Sequence, residues 1–491
     1  MSQFETVIGL EVHAQLNTAA KMFCSCPQAD YEARANSSIC PVCTGQPGTL
    51  PVANKKAVEL GVKAGVALNC RVNEVSIFAR KNYFYPDLPK SYQVSQFDRP
   101  LCGAGSVEID LKPSGSKTIR VTRAHLEEDA GKSLHALGSR ALDYTLVDFN
   151  RCGVPLIEIV SEPDISSADE AYSYLTELKR LIQWAGVSEC DMEKGELRCD
   201  VNISLKAAGA VELGRKVEIK NLNSFKAVKD AINHEIGRQT AILEGGETVT
   251  QDTRLWNEKE QKTVSMRSKE LAHDYRYFPE PDLVPLRVTA AQLEAAKAEI
   301  GELPRARKTR FMKDFGLNSY DAGVLTSSRH LSAYFEACMK EASPSAAEGE
   351  AKTVANLLAG EFFARANELK VNPEDYLSKT ISPINVVKLA ALTAAGKLSA
   401  SAAKTVFAAS WETGKDPEIL LGELGLAQVN DAAQIEAWAK EAIAASPAAV
   451  DDFKKGNIKA LGPIVGMMMK KSKGKANPKL ANEIIKKLLV G

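Results

Sequence analysis

Two groups of side chains in this sequence are of types that bind metals or handle charge. Cys24, Cys26, Cys40 and Cys43 form a C-x-C pair followed by a C-x-x-C pair. Four thiolates in two close pairs suit tetrahedral Zn²⁺ and leave no ligand position open, so the metal would have a folding role. Unliganded thiols are the alternative. The second group is acidic. His125-Leu-Glu-Glu-Asp129 packs three acids into one short stretch, which like-charge repulsion disfavours without a cation. Glu158 lies in the apolar run VPLIEIVSE, where an unpaired carboxylate is costly to bury. With His13, these residues point to a divalent ion. Mg²⁺ takes oxygen ligands beside phosphate, and a histidine ligand also suits Mn²⁺. The plainer reading is a set of solvated strand faces with His13 as a hydrogen-bonded strand residue. Spacing alone does not bring the acids together.

Other chemical signatures are absent or false. Ala130-Gly-Lys-Ser133 resembles the end of a phosphate-binding loop, but that pattern needs a glycine where Leu126 stands, and three acids precede it. Gly103-Ala-Gly105 has no third glycine at dinucleotide-binding spacing, and there is no nucleophile elbow. Any chemistry therefore rests on metal, phosphate and electrostatics. From Arg80 to Asp98 (RKNYFYPDLPKSYQVSQFD) three basic residues and three tyrosines interleave. That mixture suits phosphate contact and stacking on a nucleotide or a tRNA end, or a surface loop pinned by aromatic packing. HDYRYFPEPDL, from His273 to Leu283, has the same character.

The elements that must position these groups are short alternating strands. In VIGLEVHAQL, Ile8, Leu10, Val12, Ala14 and Leu16 share one face, while Val7, Gly9, Glu11, His13 and Gln15 share the other. LRCDVNISL and RKVEIKN repeat the arrangement, as antiparallel sheets with one face on a core do. Ser167-x-x-Glu170 reads as a capping box opening a helix with Tyr174, Leu178, Leu181 and Ala185 on its apolar stripe, ended by Gly186. This α+β texture runs to about Val288, then gives way to Ala/Leu/Lys/Glu-rich helical patterns, and from about Lys415 to a basic helical stretch. Between Asp451 and Gly491 ten lysines face three acids, a net +7, on a chain whose overall formal charge is zero. A polyanion partner must therefore be gripped locally, and Lys454, Lys455, Lys470, Lys471, Lys473 and Lys475 are the candidates. The first twenty residues lack a signal-peptide pattern, no run is apolar enough to span a bilayer, and ten cysteines without an export signal fit a reducing, cytoplasmic setting.

Taken in order, ETVIGLEVHAQL, RKNYFYPDLPKSYQVSQFD, HLEEDAGKS, PLIEIVSEPD, LRCDVNISL, EIKNLNSF and DYRYFPEPDL resemble the signature segments of the GatB family, the B subunits of tRNA-dependent amidotransferases. The resemblance implies a catalytic cradle of glutamine synthetase/guanido kinase type at residues 1–293, a helical domain at 294–414 and a YqeY-like tRNA-binding tail at 415–491. It also implies a heterotrimer with an amidase-type A subunit and a small C subunit. The activity it implies is ATP-dependent activation and amidation of mischarged Glu-tRNA(Gln), Asp-tRNA(Asn) or both. By the same resemblance Glu11, His13, Glu128 and Glu158 would hold the metal and act at the phosphoryl group. Lys81, Lys90 and Arg198 would contact phosphate or substrate, and Tyr83, Glu193, Asp200, Lys220 and Asn221 would line the cleft. The competing functions are a stand-alone ATP-dependent carboxylate–amine ligase and a non-catalytic, zinc-containing tRNA-binding scaffold.

Overall fold

Strand β1 (Phe4–Gln15) sets the plan of the catalytic half. Its alternating Ile8, Leu10, Val12 and Ala14 are at most 1% exposed, and burying each larger aliphatic contributes roughly 1.5–3 kcal/mol. Its other face is polar. The computed structural model describes residues 3–30, 32–111, 115–138, 140–266, 275–342, 347–369, 381–428, 431–472 and 476–490. Within them β1 lies mid-sheet, between β9 (Pro155–Ser161) and β10 (Leu197–Ala207), antiparallel to both. The sheet has eight strands in the order β13-β12-β11-β10-β1-β9-β6-β5. The other members are β5 (Gly105–Asp110), β6 (Ser116–Glu128), β11 (Val217–Lys220), β12 (Asp252–Asn257) and β13 (Lys262–Ser265).

One pair departs from the antiparallel expectation. β11 and β12 run parallel, because helix α3 (Phe225–Glu244) carries the chain back before β12 begins. Helices α1 (Lys55–Ala67) and α2 (Ala168–Trp184) join α3 in the apolar core on the sheet's nonpolar face. Ser167 caps α2 as expected, its hydroxyl accepting from the Glu170 N–H. The reciprocal half goes elsewhere: the Glu170 carboxylate accepts from the N–H of Ser166, one residue before the cap, and from Lys117 Nζ. Gly186, at φ 68°, ends the helix.

Smaller sheets frame the polar face. β3 (Ala79–Asn82), β4 (Tyr92–Ser95) and β14 (Phe278–Pro279) form a three-stranded strap, and β2 (Val75–Ser76) pairs with β15 (Leu286–Arg287). β7 (Lys132–Leu137) and β8 (Arg140–Asp148) make a separate hairpin. Helix α4 (Ala290–Ile300), which straddles the expected boundary at 293/294, buries Ala296 and Ile300 in the first core. The first compact unit is Met1–Leu303 and the second is Pro304–Gly491.

The second unit is helical among its described residues and has two separate apolar cores. One runs from Phe311 to Leu420 and includes a π-turn at Leu357–Phe362; the other runs from Ile435 to Ile485. Met468 is fully buried in the latter, so the Met467–Met469 run is core packing. Lys454, Lys455 and Lys470 are exposed, and Lys471 pairs with Glu441 at 2.8 Å. Lys473 and Lys475 lie outside the described residues. No helix among the described residues is long and apolar enough to cross a membrane.

Candidate active site and metal centre

The polar face of the large sheet is built by register. On β1, Glu11 stands opposite Asp200 of β10, and His13 stands between Arg198 of β10 and Glu158 of β9. Across β9, Glu158 stands opposite His125 of β6. Side chains on neighbouring strands in register are neighbours in space, so one row reads Arg198, His13, Glu158, His125. Glu127, two residues beyond His125, joins the same face. His13 Nε2 lies 3.4 Å from Glu158 Oε2 and 3.5 Å from Glu127 Oε1, and His125 Nε2 lies 3.4 Å from Glu158 Oε2.

This cluster is electrostatically unsettled. Burial drives the Glu127 carboxyl above its ordinary range, and the Glu158 charge drives it further. Burial acts on Glu158 in the same sense, but the two imidazoles outweigh it and hold that carboxyl well below the usual range. Burial opposes the charge on His13 too, yet the Glu158 hydrogen bond and charge raise it to about 9. The Nδ1 of His125 is buried without a hydrogen-bond partner among the described residues. Ligand atoms of His13, Glu127 and Glu158 all lie within 4.8 Å of one another, as do those of Glu11, Asp200 and Glu218. Two carboxylates that cannot both ionise comfortably, beside an imidazole, fit a hard divalent cation.

The three consecutive acids part company. Glu127 goes to the imidazoles. Glu128 points to the other face of β6, where its Oε1 accepts from the Val94 N–H at 2.9 Å and pairs with Lys90. Asp129 takes the Arg198 guanidinium in a two-pronged bond, with Arg151 at 3.4 Å. Burial would raise the Asp129 carboxyl, but those arginines hold it low. Thus the structure brings His13 and Glu158 together with Glu127, places Glu11 beside Asp200 and Glu218, and sets Glu128 apart with Lys90. Sequence reasoning flagged the stretch His125–Asp129 as a whole but singled out Glu128 from it, and it passed over Glu218.

The remaining candidates fall around this face. Lys220 pairs with Asp200 at 2.5 Å and Glu218 at 3.0 Å. Lys81 lies 4.8 Å over the Tyr275 ring and 5.9 Å over Tyr83. Burial opposes its charge, but Glu127 and Glu158 raise its pKa overall. Tyr83 donates its hydroxyl to Gln93 Oε1 at 3.1 Å. Arg80, held at 2.7 Å by both oxygens of Glu280, fastens β3 to the segment after β14. Around it Phe97 stacks on Tyr277 at 4.3 Å, and Phe84 and Tyr85 are exposed. Two expected cleft residues are placed otherwise. Glu193 is exposed in a turn where its N–H donates to Asp191. Asn221, at φ 64°, donates its side-chain amide to the Trp256 carbonyl and closes the end of β11. His273 and Asp274 lie outside the described residues.

The four sulfurs of Cys24, Cys26, Cys40 and Cys43 come within 4.8 Å of one another. Hydrogen bonding from Cys24 lowers the Cys43 thiol to about 4 against burial, helped by the Cys40 N–H and the Lys21 charge. Lys21 is fully buried; its ammonium donates to the Ser38 carbonyl at 2.8 Å and reaches Cys43 Sγ at 3.7 Å. Four converging sulfurs with an internal cation beside Cys43 fit tetrahedral zinc.

The chain matches known proteins over its whole length. The model of the GatB/GatE catalytic domain matches residues 6–294, and that of the GatB domain matches 333–489. The chain is 53% identical over 491 residues, 100% of both chains, to the B subunit of the aspartyl/glutamyl-tRNA(Asn/Gln) amidotransferase of Elusimicrobium minutum. It is 49% identical over 488 residues, 99% of both chains, to the protein of the same name from Thermoanaerobacter pseudethanolicus. The Chlorobium phaeobacteroides protein of that name is 48% identical over 488 residues, 99% of this chain and 100% of its own.

Proposed function

The chain belongs to the GatB family, and from that premise we propose that it is the activating subunit of a tRNA-dependent amidotransferase. It acts in a heterotrimer with an amidase-type A subunit and a small C subunit, in the cytoplasm. Its substrates are mischarged Glu-tRNA(Gln), Asp-tRNA(Asn) or both. The observation that carries the reading is the polar sheet face on which His13, Glu127 and Glu158 meet, inside a chain whose family match runs end to end.

A side-chain carboxylate resists amidation because oxide is a poor leaving group. Attack of that carboxylate on the γ-phosphorus of ATP releases ADP and gives an acyl phosphate; ammonia then displaces phosphate. His13, Glu127 and Glu158 would hold Mg²⁺ (or Mn²⁺), with Glu11 and Asp200 one step along the strands. The ion, when bound, supplies neutralisation of the phosphoryl oxygens. Lys81 stands where it can meet transferred phosphoryl or carboxylate oxygens, and its nearby carboxylates keep it charged. Arg198, anchored by Asp129, presents a fixed guanidinium beside His13. Lys90 and Glu128 satisfy each other and tie the strap to β6, so we assign that pair a positioning role. The aromatic strap receives the acceptor end of the tRNA, and the lysines of the tail grip its body. Zinc held by the four cysteines stabilises the fold. The helix-backed, mainly antiparallel sheet with its charged open face supports a cradle of the glutamine synthetase type.

The test is conversion of labelled Glu-tRNA to Gln-tRNA by this chain with both partners and glutamine. Conversion should require ATP–Mg²⁺ and vanish when this chain is left out. ATP-independent conversion, or none with Glu-tRNA or Asp-tRNA despite tRNA binding, overturns the proposal. Equal amidation of free glutamate would favour the stand-alone ligase.

A further inference from the structure

The hairpin of β7 and β8 stands outside the large sheet, and the chemistry described above does not use it. Leu134 of β7 faces Leu146 of β8. From there β7 advances two residues to Ala136, while β8 spans five, Leu146 to Ala141, so β8 bulges. Bulges re-aim side chains. Here Tyr144 is 58% exposed and Leu146 38%, and Ala136 and Ala141 are exposed with them. A two-stranded hairpin is marginally stable by itself in water, and exposed apolar groups gathered on one mark a place where another molecule sits.

The foot of the hairpin, by contrast, is clamped from two sides. The Asn36 N–H donates to Asp148 Oδ1 at 2.9 Å, the Asn36 side-chain amide donates to the Val147 carbonyl at 3.1 Å, and its oxygen accepts from the Phe149 N–H at 2.7 Å. Asn36 holds a left-handed φ of 58°, a conformation asparagine takes more readily than most residues. It lies between the two cysteine pairs, so the loop that zinc would close is the clamp. On the other side, in the turn between β3 and β4, Asp87 accepts from the Ser133 hydroxyl at 3.1 Å and from the Gly131 N–H at 2.8 Å. Gly131 is pressed in so tightly that a Cβ would stand 2.9 Å from the carbonyl oxygens of both Asp87 and Asp148. A fixed foot under an apolar arm lowers the ordering cost of docking.

Charge and chemistry say what docks. Lys132 and Arg140 balance Asp143 and Asp148, so the arm has no net charge to draw a polyanion, and its occupant is a protein. The arm also rises at the lip of the charged sheet face: Lys132 follows closely on Asp129, whose carboxylate holds Arg198 beside His13. In the reading above, ammonia must come to that face from another subunit. In open water at neutral pH ammonia is almost wholly ammonium, which has no lone pair, and an acyl phosphate hydrolyses. The subunit that supplies ammonia therefore has to close against this lip. We propose that the β7–β8 hairpin is the docking arm for the amidase-type A subunit, which covers Tyr144 and Leu146 with an apolar patch of its own, and that the Asn36 loop holds the arm in place for it. The inference rests on the amidotransferase reading and adds the surface through which this chain meets its ammonia source.

The test uses the heterotrimer assembled from full-length chains. Tyr144→Asp combined with Leu146→Asp, both at exposed positions, should weaken association of the A subunit at least tenfold in sedimentation of the dilute complex. The tRNA affinity and the thermal midpoint of this chain should stay near wild type. Asn36→Gly, which keeps the left-handed backbone and deletes the side-chain clamp, should weaken association severalfold. A photoreactive benzophenone side chain placed at position 144 of the otherwise unaltered complex should crosslink to the A subunit. Unchanged association in both variants overturns the inference, as does a crosslink to the C subunit, to tRNA or to no partner. Lost tRNA affinity with the trimer intact also overturns it, since the arm would then hold RNA. The function is read separately, as ATP-dependent amidation by the wild-type trimer with ammonium chloride in place of glutamine. Absence of that amidation defeats the amidotransferase reading, whereas its presence with unweakened association defeats the docking arm alone.

Discussion

The cysteine group and the carboxylate–imidazole group each bring potential metal-ligand atoms together, and they are assembled in opposite ways. The four cysteines sit between residues 24 and 43, and their charge is met close by, by Lys21 and the Cys40 N–H. The ligands of the other group come from three strands, β1, β6 and β9. There, charge is left in conflict: Glu127 is pushed up and Glu158 down. A local site of this sort contributes to folding, whereas a long-range site is a product of folding that stores electrostatic tension for use.

The largest effect should come from breaking the local group. Cys43→Ser is expected to empty the zinc site by elemental analysis and to lower unfolding free energy by about 4 kcal/mol or more in a denaturant titration. Full stability without zinc would end the contrast. Next comes Glu158→Gln, which should slow amidation by the heterotrimer roughly 10²–10³-fold. The thermal midpoint should fall only slightly, because the two imidazoles lose the carboxylate that they hold ionised while Glu127 is relieved of its neighbour's charge; a large fall would make the second group structural too. The smallest effect should follow Lys21→Met, which keeps the volume and removes the counter-cation. Zinc affinity in a chelator competition should drop about tenfold, with amidation by the zinc-loaded complex little changed. Unaltered affinity would show that the ammonium serves the Ser38 and Phe149 carbonyls only.

This difference also governs what could be read beforehand. The cysteine set was visible because its spacing is its geometry. The two-residue alternation of β1, β10 and β11 was legible, since apolar positions must face one core. Convergence was not, because it depends on which strands pair. One further step was available: alternation from His125 puts Glu127, and not Glu128, on the imidazole's face. Family resemblance pointed to Glu128, and the register sets that residue against Lys90. The parallel β11–β12 pair was hidden because strand patterning does not say how a connecting helix returns the chain. Asn221 has a polar side chain but spends it on a turn, which only the backbone dihedral reveals.

The central place of β1 has a consequence for how the molecule is made. Its two neighbours, β9 and β10, begin at Pro155 and Leu197, so during synthesis this strand waits for partners encoded far downstream. At bacterial-type elongation rates of about 5–20 residues per second, the second partner is complete roughly 10–40 s after β1 emerges. During that interval a strand of Ile, Leu and Val stands with both edges open, which is an aggregation hazard. Protection of the nascent segment between β1 and β10 therefore bears on the yield of folded protein.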